Sequence, residues 1–333
     1  MHNKQWKGKR NMSQNVLVVH GGGPTAVINA SLYGVIEEAK RNPEVGKVYG
    51  AIGGTGAIFS ETFIDLTSFD DEKLKLLLHT PASAIGSSRY PLYEKDYEKM
   101  VDIFKKHDIK YVLLNGGNGT MDACGHIYEV CKDQDIKVVG IPKTIDNDIA
   151  MTDHSPGYGS AARFIAASTQ EVGEDVKSLP IHVCIMEAMG RNAGWLTGAA
   201  ALSKGEDCEG PDLIYLPELP FDLQLFGEKI KQLLQEKTSI VVAVSEGIRT
   251  EDGTYVCELG NSIDFVDAFG HKQLSGTASY LASYIAGEIG CKTRAIELST
   301  LQRAASHAAS RVDILEAYQV GGCLLYTSPS PRD

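Results

Sequence analysis

The sequence predicts an α/β fold of two lobes built on mainly parallel sheets, and three observations lead there. The chain has 333 residues, enough for about two domains. Short, continuously apolar, β-branched runs alternate with helical stretches, as strands do when helices cover both faces of a parallel sheet. Several of these runs end in glycines, at the strand ends where such sheets bind ligands.

The elements follow in order. Asn15–His20 (NVLVVH) reads as the first strand and Ala26–Lys40 as the helix after it. Lys110–Leu114 is the next strand, followed by a helix over Met121–Lys132, and Lys137–Ile141 is a third strand. Ile181–Met186 (IHVCIM) and Ser239–Val244 (SIVVAV) are two more. No fixed-period repeat and no Pro/Gly/Ser linker separates them, so two lobes that exchange chain segments are expected. Residues 1–14 are polar and basic, without a signal peptide's apolar stretch, and read as a disordered extension. Residues 323–333 (CLLYTSPSPRD) do not continue the preceding helical pattern. They read as a non-native tail, with the natural chain expected to continue beyond about Gly321.

Composition narrows the function. Hydrophobic residues make up 43% and charged residues 23%, which excludes wholesale disorder. No apolar run approaches the roughly 18 residues of a membrane span, so no membrane partner is expected. The net charge of −11 argues against a nucleic-acid partner. It does not exclude an anionic substrate, because charges are screened over about 8 Å in physiological salt. The seven cysteines show no CxxC pair, as expected of free thiols in a cytoplasmic protein, and the nine histidines form no HExxH site.

Five loops at predicted strand ends carry the chemistry. Gly21-Gly22-Gly23-Pro24-Thr25 and Asn115-Gly116-Gly117-Asn118-Gly119-Thr120 are glycine-rich turns before helices, which let backbone N–H groups approach phosphate. Two of them in one lobe suggest a polyphosphate donor. Neither is GxGxxG or a Walker loop. Pro142-Lys143-Thr144-Ile145-Asp146-Asn147-Asp148 sets two carboxylates beside a lysine and a threonine. One suits accepting a hydroxyl proton and the other holding Mg2+. Met189-Gly190-Arg191-Asn192-Ala193-Gly194 places an arginine between glycines, and Ser245-Glu246-Gly247 offers a carboxylate to sugar hydroxyls. Taken singly, the Ser245-Glu246-Gly247 triplet is equally compatible with a surface turn and the first glycine loop nearly so, whereas the two carboxylates of the Pro142–Asp148 loop are poorly explained as a plain turn.

PKTIDND, MGRNAG, SEG, the early Gly-Gly and GGNGT occur in one order at compatible spacings, and over about residues 15–321 the chain resembles the phosphofructokinase family. GGPTAVIN and Phe269-Gly270-His271-Lys272-Gln273-Leu274 are most similar to its longer bacterial, often pyrophosphate-dependent members. The resemblance implies two Rossmann-like lobes with the active site in the cleft between them. It assigns residues 15–157 plus about 296–321 to the phosphoryl-donor lobe and 158–295 to the fructose 6-phosphate lobe. The implied reaction is glycolytic phosphoryl transfer to the 1-hydroxyl of fructose 6-phosphate. Asp146 is then the base, ionised at neutral pH with an ordinary carboxylate pKa near 3.9. Thr144 lies beside it, and Arg191, Met189, Gly190 and Glu246 contact the sugar phosphate. Gly22, Gly23, Gly117, Asn118, Gly119, Thr120, Lys143 and Arg89 line the donor. Asp148 and Asn118 hold Mg2+. Arg294 and Arg303 grip the 6-phosphate, Arg294 from a neighbouring subunit, so a homo-oligomer (dimer or tetramer) is implied.

Asn118 stands where many members carry Asp, His182 where short bacterial members carry Arg, and Thr300 where an aromatic residue or His is usual. The donor stays open between ATP and pyrophosphate. Gly119 leaves room for a nucleotide α-phosphate, and this steric point favours ATP; Lys143 is typical of pyrophosphate users. A kinase of another family with a similar glycine loop, or a non-catalytic sugar-phosphate-binding subunit, are the alternative readings.

Overall fold

The computed structural model of the protein describes residues 14–260 and 274–327. Of the expected N-terminal extension only Gln14 falls within it, and of the 269–274 segment only Leu274. The first sheet holds β1 (Gln14–His20), β2 (Val45–Ala51), β3 (Phe63–Asp65), β4 (Ile109–Gly116) and β5 (Lys137–Pro142), in the order β3-β2-β1-β4-β5. Its central pairs are parallel, and β3 at the edge is antiparallel. The second holds β6 (Val183–Ala188), β7 (Leu213–Tyr215), β8 (Ile240–Ser245) and β9 (Thr293–Glu297), parallel throughout, in the order β7-β8-β6-β9.

The unbroken apolar runs have a direct cause. Val16 and Val18 of β1 pack with Leu32, Val35 and Ile36 of the helix Ile28–Arg41 on one face. Leu17 and Val19 pack with Met100 and Phe104 of the helix Glu94–Lys106 and Ile127 of the helix Asn118–Cys131 on the other. Both faces are therefore dry, and no polar alternation survives. The second sheet repeats this, with Cys184 and Met186 on one side and Val183 and Ile185 on the other.

Some boundaries move. β6 ends at Ala188, not Met186, because Glu187 stays in the strand with its carboxylate buried and accepting the N–H of Ala278 at 2.9 Å. That contact caps the helix Thr277–Ile289. The helix expected from Met121 starts at Asn118, so Asn118–Thr120 form its first turn. The last helix, Arg311–Thr327, runs past the expected break at Cys323, with Leu325 buried in the first lobe's core. It lies against the helix Ile28–Arg41, so the chain returns to the first sheet's side after β9. All seven cysteines are free. Among the described residues, no helix is long and apolar enough to cross a membrane.

Candidate active site

The glycine wall is built by backbone contacts. Gly21 N–H donates to Asn115 O at 2.9 Å and Gly22 N–H to Ser88 O at 3.1 Å, while the Ser87 hydroxyl donates to Gly22 O at 2.6 Å. These bonds moor the segment that ends at Arg89 beside the first loop. A Cβ at Gly21 or Gly116 would stand 2.3 or 2.1 Å from the Thr120 Oγ1, so only glycine admits Thr120 between the two loops. Gly117 is the N-cap position of the helix Asn118–Cys131, whose first-turn N–H groups lack intrahelical acceptors. Asn118 and Gly119 are exposed, and a Cβ at Gly119 would meet nothing within 4 Å.

Lys143, at the end of β5, is 3% exposed and donates from Nζ to Gly23 O. Burial pulls its pKa down to about 8, and Arg303 and Arg89 push the same way. Burial and then Arg89 also hold Arg303 below the usual guanidinium range. The Arg303 guanidinium reaches the first loop, since a Cβ on Gly23 would lie 2.7 Å from its Nη1. Three cations thus crowd against the glycine wall.

Asp146 faces them, half-buried. Burial first, and then the charge of Asp148, raise it to about 6, against the pull of Lys143, Arg191 and Arg303. The ordinary value expected from sequence is corrected accordingly, though the carboxylate remains mostly ionised at neutral pH. Its N–H donates to the Thr144 Oγ1 at 3.1 Å, and Thr144 N–H donates to Pro156 O at 3.1 Å. Between the two carboxylates, Asn147 adopts φ +54°, a left-handed conformation that Asn tolerates better than most residues. Its side chain accepts from Ser155 N–H at 2.8 Å and donates to Asp153 O at 3.2 Å, closing the loop. Asp148 is exposed.

The second lobe supplies the opposite wall. Gly190, at φ +120°, donates its N–H to Glu246 Oε1 at 3.4 Å, and the Ser245 hydroxyl donates to Gly190 O at 2.7 Å. Met189 N–H donates to Gln302 Oε1 at 3.0 Å. A Cβ on Gly247 would be 1.9 Å from Arg191 O, so the SEG turn and the arginine turn touch through backbone. Burial, then Asp146 and Glu187, push Glu246 up to about 8, so it is mostly protonated at neutral pH.

Of the predicted site residues, Arg294 stands apart. It is exposed on the edge strand β9, and its charge bears on Cys184 rather than Asp146. The structure also gives work to residues not predicted for the site. Buried Asn29 holds residues 80–84 through bonds to Thr80 O at 2.9 Å, Ala82 O at 2.7 Å and Ala84 N at 2.8 Å. His20 Nδ1 bonds the Ser83 hydroxyl at 2.7 Å. The available signal was polarity inside otherwise apolar or helical runs.

Crowded cations on a glycine-lined wall, facing a carboxylate at the strand ends of two parallel sheets, define the molecule as a phosphotransferase acting on an alcohol acceptor. The phosphofructokinase family model matches residues 15–324, and the chain belongs to that family. It is 39% identical over 318 residues to the pyrophosphate–fructose 6-phosphate 1-phosphotransferase of Halomonas elongata, covering 92% of this chain and 75% of that protein. It is 40% identical over 313 residues to the enzyme of that name from Rhodospirillum rubrum, covering 92% and 77%. Among solved structures, the pyrophosphate-dependent phosphofructokinase of Nitrosospira multiformis is similar with a TM-score of 0.83 at 34% identity, covering 94% of this chain and 76% of that one.

Proposed function

We propose that this protein transfers a phosphoryl group from pyrophosphate to the 1-hydroxyl of fructose 6-phosphate, in the cytoplasm and as a step of glycolysis. The observation that carries the reading is the gathering of Lys143, Arg303 and Arg89 at the glycine wall opposite Asp146: burial and then the neighbouring guanidinium charges lower Lys143 and Arg303, and a bound polyanion relieves that repulsion. Pyrophosphate is favoured over ATP by the relatives' names and by Lys143, whose buried ammonium sits in the wall that receives the released phosphate. Gly119 still leaves space, so the steric argument for ATP has no counterpart in any crowding there.

The 1-hydroxyl oxygen attacks the nearer phosphorus, the bridging P–O bond breaks toward orthophosphate, and the hydroxyl proton passes to Asp146. Thr144 fixes the backbone of Asp146. Arg191 and protonated Glu246 hold the sugar phosphate against Met189 and Gly190. Gly22, Gly23, Gly117, Asn118, Gly119 and Thr120 supply the donor wall. Mg2+ fits the exposed Asp148 carboxylate, which already raises Asp146 and is the oxygen ligand this ion takes, with Asn118 as a second ligand. When bound, Mg2+ would neutralise charge on the donor phosphates, with Asp148 and Asn118 as the residues that would hold it. Arg303 and, from a neighbouring subunit, Arg294 grip the 6-phosphate, which makes the working unit at least a dimer; the exposure of Arg294 supports this.

The test is an assay of purified protein with fructose 6-phosphate, Mg2+ and either donor. Turnover with pyrophosphate well above that with ATP is expected, and the reverse order overturns the donor. No turnover with either, beside retained sugar-phosphate binding, selects the non-catalytic reading.

A further inference from the structure

An open surface groove of about 650 Å3 lies where the helix Tyr158–Ser178 of the second lobe meets the turn before, and the first turns of, the helix Arg311–Thr327, and its basic side chains are exposed. Its size is within the range of small-molecule sites. Four of its lining side chains are basic: His79, Arg163, His307 and Arg311. Leu78 and Ile314 supply an apolar wall, and no carboxylate lines it. In a chain of net charge −11 this lining is not what average composition provides. Among the described residues, neither Arg163 nor Arg311 is paired with a carboxylate. Arg163 instead spends one N–H on Ala309 O at 3.2 Å, which fixes its stem while leaving the rest of the fork available. His307 is held edge-on against Phe164, with ring centroids 6.4 Å apart.

None of these residues belongs to the set around Asp146, yet two chain segments connect the places. The turn Ser306–Ala308 follows directly on the helix Leu301–Ala304, which carries Arg303. The helix bearing Arg163 starts just after Gly157, which bridges to Thr144.

We propose that this groove is a second ligand site, binding a small organic phosphate with its phosphate on Arg163 and Arg311 and its carbon skeleton against Leu78 and Ile314. A guanidinium pair provides forked donors that match phosphate oxygens, and the apolar wall gives an organic phosphate contacts that inorganic phosphate lacks.

The experiment titrates ribose 5-phosphate, and separately inorganic phosphate, at constant pH and ionic strength. The readout is the NMR signals of the His79 and His307 ring protons, assigned with His79→Asn and His307→Asn. These rings line the groove, and the arginine variants separate binding there from phosphate bound at the active site, which the Ser306–Ala308 turn could otherwise relay to His307. Both signals are expected to move saturably with ribose 5-phosphate, with half-saturation below about 1 mM, and about tenfold more weakly with inorganic phosphate. The Arg163→Ala, Arg311→Ala double variant loses the shift. Should it fail to fold, Arg163→Gln and Arg311→Gln singly must each weaken half-saturation by about tenfold. Signals that stay still, drift linearly without saturation, or move alike in the arginine variants overturn the site. Equal response to the two phosphates overturns the organic ligand.

Discussion

At the scale of single residues the proposed base is Asp146, and its environment dictates how it titrates. Burial and Asp148 raise it to about 6, so below that pH it gains a proton and can no longer accept one from the sugar hydroxyl. Lys143, lowered to about 8 chiefly by burial, loses its charge above that pH and with it the phosphate-neutralising role proposed for it. The expected profile of kcat/KM is a bell with an acid limb near 6 and an alkaline limb near 8. Replacing Lys143→Met should remove the alkaline limb and most pyrophosphate turnover; a profile with its acid limb near 4 would mean that Asp146 is not the base. Asp146→Asn should lower kcat by at least about 100-fold with KM changed only a few-fold. Gly119→Asp tests the donor wall differently. A Cβ there would meet nothing within 4 Å, so the fold is expected to tolerate the substitution. Any turnover with ATP should collapse while that with pyrophosphate stays within a few-fold; equal loss with both donors would show that position 119 does not face a nucleotide.

At the scale of elements, the tightest junction lies between the helices Ile28–Arg41 and Arg311–Thr327. A Cβ on Gly34 would stand 2.0 Å from Tyr318 O, and one on Gly321 would stand 2.1 Å from Ser31 O, so two backbones touch without side chains between them. Gly34→Ala must push the helices apart, and a loss of about 3 kcal/mol in denaturant unfolding is expected. Gly322→Ala, whose Cβ would sit 3.4 Å from Gly34 O, should be neutral or slightly stabilising, and an equal loss there would refute the close approach. The sequence reveals Gly34 only as a mild helix cost, because its reason lies at the far end of the chain. By contrast, NVLVVH and SIVVAV are legible as strands because both faces are buried. β2 (VGKVYGA) is not, since Lys47 and two glycines break the run. The site divides the same way. PKTIDND and MGRNAG are readable because chemically distinctive residues sit at strand ends. Glu187, Gln302 and Asn29 are not, because their partners come from distant segments and only burial makes them matter. The raised pKa of Asp146 is unreadable for that reason too.

Over the whole molecule, buried ionisable groups set how stability depends on pH. Glu187 is raised to about 7 and Glu246 to about 8, both mainly by burial, from an ordinary 4.5. Between about pH 6.5 and 8 the folded chain therefore holds protons that the unfolded chain has already released, and stability must fall as pH rises. Below that window two groups oppose each other. His20, lowered to about 3 by burial and then Lys143, makes stability rise with pH up to about 6.5. Asp146 makes it fall between about 3.8 and 6. Above the window Lys143 favours rising stability from about 8, until the buried thiols of Cys124, Cys131 and Cys184, raised to about 11 by burial, reverse it above about 9. The clean interval is thus 6.5 to 8. At constant ionic strength and without ligands, Tm should drop by a few degrees across it. The double substitution Glu187→Gln, Glu246→Gln removes both protons from the balance, and its Tm should stay level over the same interval. A wild-type Tm that climbs from pH 6.5 to 8 would mean that these two carboxyls are not protonated in the folded chain.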